Sequence, residues 1–122
     1  MSALDDCINV IFNSFYRVKS SLHGYDSDLR DLTGITRVFE QAGIRRNAKP
    51  TVVVTGSKGK GSTSILCAGF LQEMGLKVGL VTSPHLIEFR ERIRVNGISI
   101  PEQGFIDRIM AIAPLWLKWM PA

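Results

Sequence analysis

Apolar residues recur at three- and four-residue steps through the first stretch of the chain, at Leu4, Ile8, Ile11, Phe12, Phe15, Val18 and Leu22. That is the period of one helix face, and it predicts a helix over 4–22. His23-Gly24-Tyr25-Asp26-Ser27-Asp28 reads as a loop. A second helix is expected over 33–42, with Ile35, Val38, Phe39 and Ala42 on one face and Gly43 as its stop. The period then changes. Pro50-Thr51-Val52-Val53-Val54-Thr55 is a short β-branched run of the kind that forms a strand buried on both faces. A glycine-rich stretch follows, then a helix from about Ser62 to Met74, with Ile65, Leu66, Gly69, Phe70 and Leu71 available for packing and Gly75 closing it. Lys77-Val78-Gly79-Leu80-Val81-Thr82 gives a second strand.

Strand, loop, helix and strand over 50–83 form a βαβ unit, for which parallel strands and a right-handed crossover are expected. Beyond it, Ile93-Arg94-Val95, Asn96-Gly97 and Ile98-Ser99-Ile100 predict a hairpin over 93–100, because Asn-Gly supplies the positive φ angles of a tight turn. Pro101-Glu102 opens a last helix over 102–118, with Phe105, Ile109, Ile112 and Trp116 on one face and Pro114 expected to kink or end it. The expected fold class is α/β: a three-layer βαβ core with mostly parallel strands, helices before it, a hairpin and a helix after it. There is no internal repeat or low-complexity tract.

Composition adds bounds. At 122 residues, with 45% hydrophobic and 21% charged, the chain is sized and balanced for one soluble globular domain. A net charge of +4 suits an anionic ligand, although scattered charges of this kind are ordinarily solvated surface. Cys7 and Cys67 show no CxxC spacing, which argues against a disulfide framework or a zinc site and for core packing of both in a reducing compartment. Met1-Ser2-Ala3-Leu4-Asp5-Asp6 lacks the charge and apolar core of a signal peptide, and the run from Ile109 to Leu117 is too short to span a bilayer. A cytoplasmic protein without membrane or nucleic-acid partners is expected. The loop lysines and hairpin arginines have no stacking aromatics interleaved with them.

The chemistry lies in Gly56-Ser57-Lys58-Gly59-Lys60-Gly61-Ser62-Thr63. A loop between a strand and a helix N-terminus directs unpaired N–H groups and the positive end of the helix dipole at one spot, which suits phosphate. Glycines allow the backbone to curl close to the anion, and Lys60 supplies a mobile cation. A strict G-x-x-x-x-G-K-[S/T] loop would need glycine at position 54 and a hydroxyl at position 61, where Val54 and Gly61 stand. The loop is therefore a variant. The bland alternative is a glycine-rich connecting turn. Thr63 either lends its hydroxyl to the ligand or caps the first turn; both readings stay open.

Val54 to Thr63 resembles the nucleotide loop of the folylpolyglutamate synthase and dihydrofolate synthase family, within the Mur ligase superfamily. Thr82-Ser83-Pro84-His85-Leu86 is similar to that family's second signature, and Phe89-Arg90-Glu91-Arg92-Ile93-Arg94-Val95-Asn96-Gly97 continues it. The resemblance covers roughly residues 30–101, with Ser57-Lys58 standing where many members have threonine and asparagine. It implies that 1–122 is the N-terminal part of a P-loop-type ATPase domain, incomplete here. It also implies an ATP- and Mg2+-dependent ligase that phosphorylates a carboxylate of folate or dihydropteroate, after which glutamate attacks the acyl phosphate. Gly56 through Thr63 would hold the triphosphate, with Lys60 offsetting charge on the transferring oxygens. Ser83 matches the family position whose hydroxyl binds magnesium, while the other ligands, a glutamate and a histidine, lie later in the family's chains.

His85, Arg90 and Arg92 are candidates for the substrate side. Taken from the residues alone, Ser83 before Pro84 is equally a turn residue, and a loop histidine such as His85 is more commonly bonded to backbone than catalytic. If 90–94 is a strand, Arg90, Arg92 and Arg94 share one face, which steers an anionic folate tail or is simply solvated beside Glu88 and Glu91. The isolated chain is expected not to ligate by itself. Trp116, Leu117, Trp119 and Met120 form either an exposed patch that drives self-association or a cover for the sheet. The rival readings are another Mur-type amide ligase and a non-catalytic nucleotide-binding fragment.

Overall fold

The computed structural model describes residues 2–19, 32–45 and 48–119. The expected loop at 23–28, the end of the first expected helix beyond Lys19, and Met120 lie outside the described residues. Among the described residues there are four helices, α1 (Ala3–Lys19), α2 (Thr33–Gln41), α3 (Lys60–Glu73) and α4 (Glu102–Leu117), and three strands, β1 (Gly79–Val81), β2 (Ile93–Val95) and β3 (Ile98–Ser99), with a 3-10 turn at Phe89–Arg92. The chain divides into two compact units, one of residues 1–49 and 106–122 and one of residues 50–105.

In the first unit, α1 starts on a reciprocal cap. The Asp5 amide donates to Ser2 Oγ at 3.2 Å and the Ser2 amide to Asp5 Oδ2 at 2.9 Å, satisfying donors the helix itself cannot. These bonds hold the Asp5 carboxyl below its ordinary value, the Ser2 amide contributing most. The buried stripe of α1 is centred on Cys7 and Ser14, seven residues apart, while Phe12 and Phe15 are exposed. The apolar face is thus rotated from the one the largest side chains suggest. Small residues sit where the packing is tightest, and Ser14 satisfies its hydroxyl on Val10 O at 2.6 Å. Burial pushes the Cys7 thiol up, so it stays protonated and packs as a small hydrophobe.

Val38 is the buried residue of α2, and the Arg37 guanidinium stacks over the Trp119 ring at 4.5 Å. Pro114 does not end α4, which runs on to Leu117. Of the expected apolar patch, Leu117 is exposed but Trp116 and Trp119 are half-buried, and their indole N–H groups are buried without a hydrogen-bond partner.

The second unit corrects the expected core. Its sheet has the order β1-β2-β3 and every pairing is antiparallel, with Leu80 opposite Arg94 and Arg94 opposite Ser99. The run 50–55 joins no ladder, and Val53 is 77% exposed. The parallel βαβ sheet is therefore absent among the described residues. A parallel partner for 52–54 must be brought back across a whole helix, and such pairs are slightly weaker than antiparallel ones. β2 reaches β3 through a two-residue turn and β1 through a loop without an intervening α-helix.

The hairpin forms as expected: Asn96 and Gly97 take φ of 48° and 77°, the paired positive angles of a two-residue turn that follows strand twist. Asn96 also ties the hairpin to the start of β1. Its amide donates to Val78 O, and its Oδ1 accepts from the Val78 amide, both at 2.9 Å. α3 lies against β1. It turns inward a line of small and medium residues, Gly61, Ser64, Ala68 and Leu71, and leaves Leu66 and Phe70 exposed.

Candidate functional site

Gly59 takes φ of +75°, the left-handed region open to glycine, and so turns the loop into α3 without a Cβ clash. Gly56 has φ of +148°. No side chain caps α3. The Thr63 amide makes the first helical bond, to Gly59 O at 3.0 Å, so the amides of Lys60, Gly61 and Ser62 have no partner within the helix. Lys60, the first helical residue, folds back and donates from Nζ to Gly56 O at 2.6 Å. This one bond brings a cation across the loop beside the helix N-terminus, where an anion is favoured by both charge and dipole.

Across from the loop, the end of β1 is pinned by a bond from the Thr82 amide to Arg92 O at 3.0 Å. This delivers Ser83 to a recess of about 150 Å3 lined by Val54, Lys60, Gly61, Ser64, Val81, Thr82 and Ser83. Ser83 thus meets Lys60 and Gly61, from the far side of α3 in the sequence, at one place. The recess is smaller than the roughly 300–1,000 Å3 of drug-sized pockets, a scale that suits a phosphate tail rather than a whole nucleotide. Ser57, Lys58, Gly59, Ser62 and Thr63 stand on the exposed loop and first turn around it.

Ser64 and Thr82 join the site without having been singled out in the sequence. Ser64 was findable, since it lies four residues after Lys60 and so on the same helix face. Its hydroxyl donates to Lys60 O at 2.8 Å, which leaves the oxygen lone pairs able to accept.

The donor set bears on magnesium. Ser64, Thr82 and Ser83 offer neutral oxygens only, and no cluster of three or more His, Cys, Asp or Glu residues able to hold a metal occurs among the described residues. Hard oxygen donors suit the ion, but without a carboxylate they fit one already bound to phosphate oxygens rather than a free one.

The substrate-side candidates are arranged differently from expectation. Arg90 and Arg92 lie in the 3-10 turn, and only Arg94 is on β2, so the three guanidinium groups do not alternate along one strand. The turn arises because Glu88 and Glu91 form a reciprocal cap, each side chain bonding the other's backbone amide. Arg90 donates to Ile100 O at 3.0 Å and pairs with Glu88 at 2.7 Å. Arg92 donates from Nε to His85 Nδ1 at 2.9 Å and lies over the Phe89 ring at 4.8 Å. Phe89 in turn meets Phe105 edge-on at 5.8 Å, anchoring the turn to the most buried aromatic of its unit. His85 Nδ1 accepts, so its proton sits on Nε2 in the neutral ring. A second hollow, of about 410 Å3 along α2 (Leu32, Thr33, Thr36, Arg37, Glu40), belongs to the other unit and carries none of these residues.

Comparison with known proteins gives a consistent set of relatives. The chain is 38% identical over 77 residues to the dihydrofolate synthase/folylpolyglutamate synthase of Buchnera aphidicola, a match covering 63% of this chain and 19% of that protein. It is 47% identical over 54 residues to a folylpolyglutamate synthase of Arabidopsis thaliana, covering 44% of this chain and 9% of the relative. It is 52% identical over 52 residues to the mitochondrial folylpolyglutamate synthase of Homo sapiens, covering 43% and 9%. The chain thus spans less than a fifth of the length of each of these curated relatives. No protein-family model matches it, and no solved structure does. No described helix is long and apolar enough to cross a membrane. Over the matched stretches the chain is similar to proteins named folylpolyglutamate synthase and dihydrofolate synthase.

Proposed function

We propose that this segment is the nucleotide-gripping part of an ATP-dependent ligase that adds glutamate to a folate or dihydropteroate carboxylate through an acyl phosphate. The observation that carries the reading is the shared recess, in which Lys60 and the α3 N-terminus face Ser83. The names of the relatives support the substrate class. In this reading the amides of the first turn of α3 and the glycine loop from Gly56 to Thr63 receive the triphosphate. Lys60 exchanges its bond to Gly56 O for phosphate oxygens, and its ammonium offsets negative charge as the terminal phosphoryl group moves to the carboxylate. Magnesium, when bound, would supply further charge neutralisation, and Ser83 is the residue that would hold it from the β1 side. His85 and Arg92 shape the wall on the substrate side and do not exchange protons with it. The domain to which 1–122 belongs is, in the same reading, a Mur-ligase-type ATP-binding domain.

A second reading, a nucleotide-binding segment without catalysis of its own, is favoured by the lack of any carboxylate in the recess. One experiment tests both. The purified 122-residue chain is titrated with ATP and magnesium, then incubated with dihydropteroate or folate and labelled glutamate. Nucleotide binding that is lost in Lys60→Ala, with no glutamate incorporated, is the expected result for a segment that grips ATP but depends on other parts of a ligase for ligation. Incorporation by this chain alone removes the second reading. Absence of ATP binding by the unsubstituted chain removes both, and undiminished binding by Lys60→Ala removes the role given to Lys60.

A further inference from the structure

Glu91 has no part in the recess, yet it is the most heavily used acceptor in the second unit. Its carboxylate receives the amides of Leu86 at 2.9 Å, Ile87 at 3.0 Å and Glu88 at 3.0 Å. We propose that Glu91 is a positioning residue that fixes where Ser83 stands beside the glycine loop; the proposal rests on the nucleotide-binding reading above.

Ser83 leaves β1 at the head of an excursion that returns at Arg92, closed at its base by the Thr82–Arg92 bond. Such an excursion holds its first residues still only if its far side is tied down. Three ties are present. Arg92 bonds His85, Arg90 links Glu88 to Ile100 O, and Glu91 gathers three consecutive amides. All three ties involve an ionised group, and the third gathers the most bonds, three amides on one carboxylate. It also covers residues that nothing else could hold, for Leu86 and Ile87 are 90% and 91% exposed and make no packing of consequence. Consistently, the amide bonds, that of Leu86 foremost, keep the Glu91 carboxyl below its ordinary value. Without the carboxylate, three converging amides would lose their acceptor, the stretch 84–88 would be released, and Ser83 would lose its fixed direction. The glycine loop, whose own bonds run within 56–64, would not be disturbed.

This gives a split that a merely stabilising residue would not. ATP affinity is measured by calorimetry with EDTA and with excess magnesium, on the full 122-residue chain and on Glu91→Ala and Glu91→Gln. Backbone amide exchange at 86–88 is followed in parallel. The magnesium-dependent gain in affinity is expected to fall by roughly tenfold or more in Glu91→Ala, in line with the loss of groups that orient a metal ligand. Affinity in EDTA should stay as in the parent chain, and exchange at 86–88 should accelerate. Glu91→Gln, which keeps one acceptor oxygen, should fall between, and it carries the test if the alanine variant does not fold. Added acetate should restore part of the gain in Glu91→Ala. A full magnesium-dependent gain in Glu91→Ala, or an equal loss with and without magnesium, overturns the proposal. If the unsubstituted chain binds no ATP under either condition, the parent reading falls and this one with it.

Discussion

Two loops bring their ends to the same recess, and they are held in opposite ways. The glycine loop at 56–59 relies on backbone freedom and a single long-reaching side chain: glycines at positive φ, and one bond from Lys60 to Gly56 O. The loop at 82–92 relies on side chains that bind its own backbone: Glu91 on three amides, Arg90 on Ile100 O, and Arg92 on His85. One loop has donors to spare and can close on an anion by exchanging one bond. The other has three consecutive amides and both its turn arginines engaged, and it presents what it carries. A site that must admit and release a charged ligand needs the first kind of loop, and a fixed reference for it needs the second.

The largest expected effect falls on the adaptable loop. Lys60→Ala should weaken ATP binding at least tenfold, about 1.4 kcal/mol, read by calorimetry. A smaller loss would mean that the amides alone carry the grip. On the braced side, Asn96→Ala removes both the turn former and the acceptor for the Val78 amide. It should lower stability by about 1–2 kcal/mol in urea denaturation, the cost of an exposed turn plus one orphaned donor. Gly59→Ala should cost about 1 kcal/mol from its φ of +75°, since nothing stands within 4 Å of an added Cβ. A loss of several kcal/mol would show the glycine loop to be tighter than it looks.

The smallest effect is a pH dependence confined to the braced loop. The carboxyl of Glu91 is lowered in the folded chain from an ordinary 4.5, so its contribution is fully present above pH 4.5 and is lost as pH falls through the lowered value. Amide exchange at 86–88, corrected for intrinsic rates, should therefore be protected at neutral pH and lose protection only in acid. Loss of that protection at neutral pH would erase the difference between the two loops.

Local chemistry made some elements readable. Asn96-Gly97 between two β-branched runs specifies its hairpin within eight residues, and the structure has it. The glycine loop leading into α3 is readable for the same reason, as is the amphipathic start of the chain. The run Val52-Val53-Val54 shows the limit. Its composition asks for a strand buried on both faces, but a strand exists only through its neighbours, and none of the described residues pairs with it. Arg90 and Arg92 show another limit. An alternating string reads as an extended face, yet a Glu88–Glu91 cap outweighs it and bends the chain into a 3-10 turn. That cap was within reach of the sequence, since two glutamates three residues apart can serve as a box.

Taken alone, the order of residues determined the helices, the tight turn, the glycine loop with its lysine, and the similarity of part of the chain to proteins named folylpolyglutamate synthase. Each depends on groups a few positions apart or on direct identity. The direction of strand pairing, the rotation of the buried face of α1 toward Cys7 and Ser14, and the meeting of Ser83 with Lys60 and Ser64 were decided only in three dimensions. These depend on which distant surfaces reach one another first and fit most closely, and that is a competition among contacts rather than a property of any one segment.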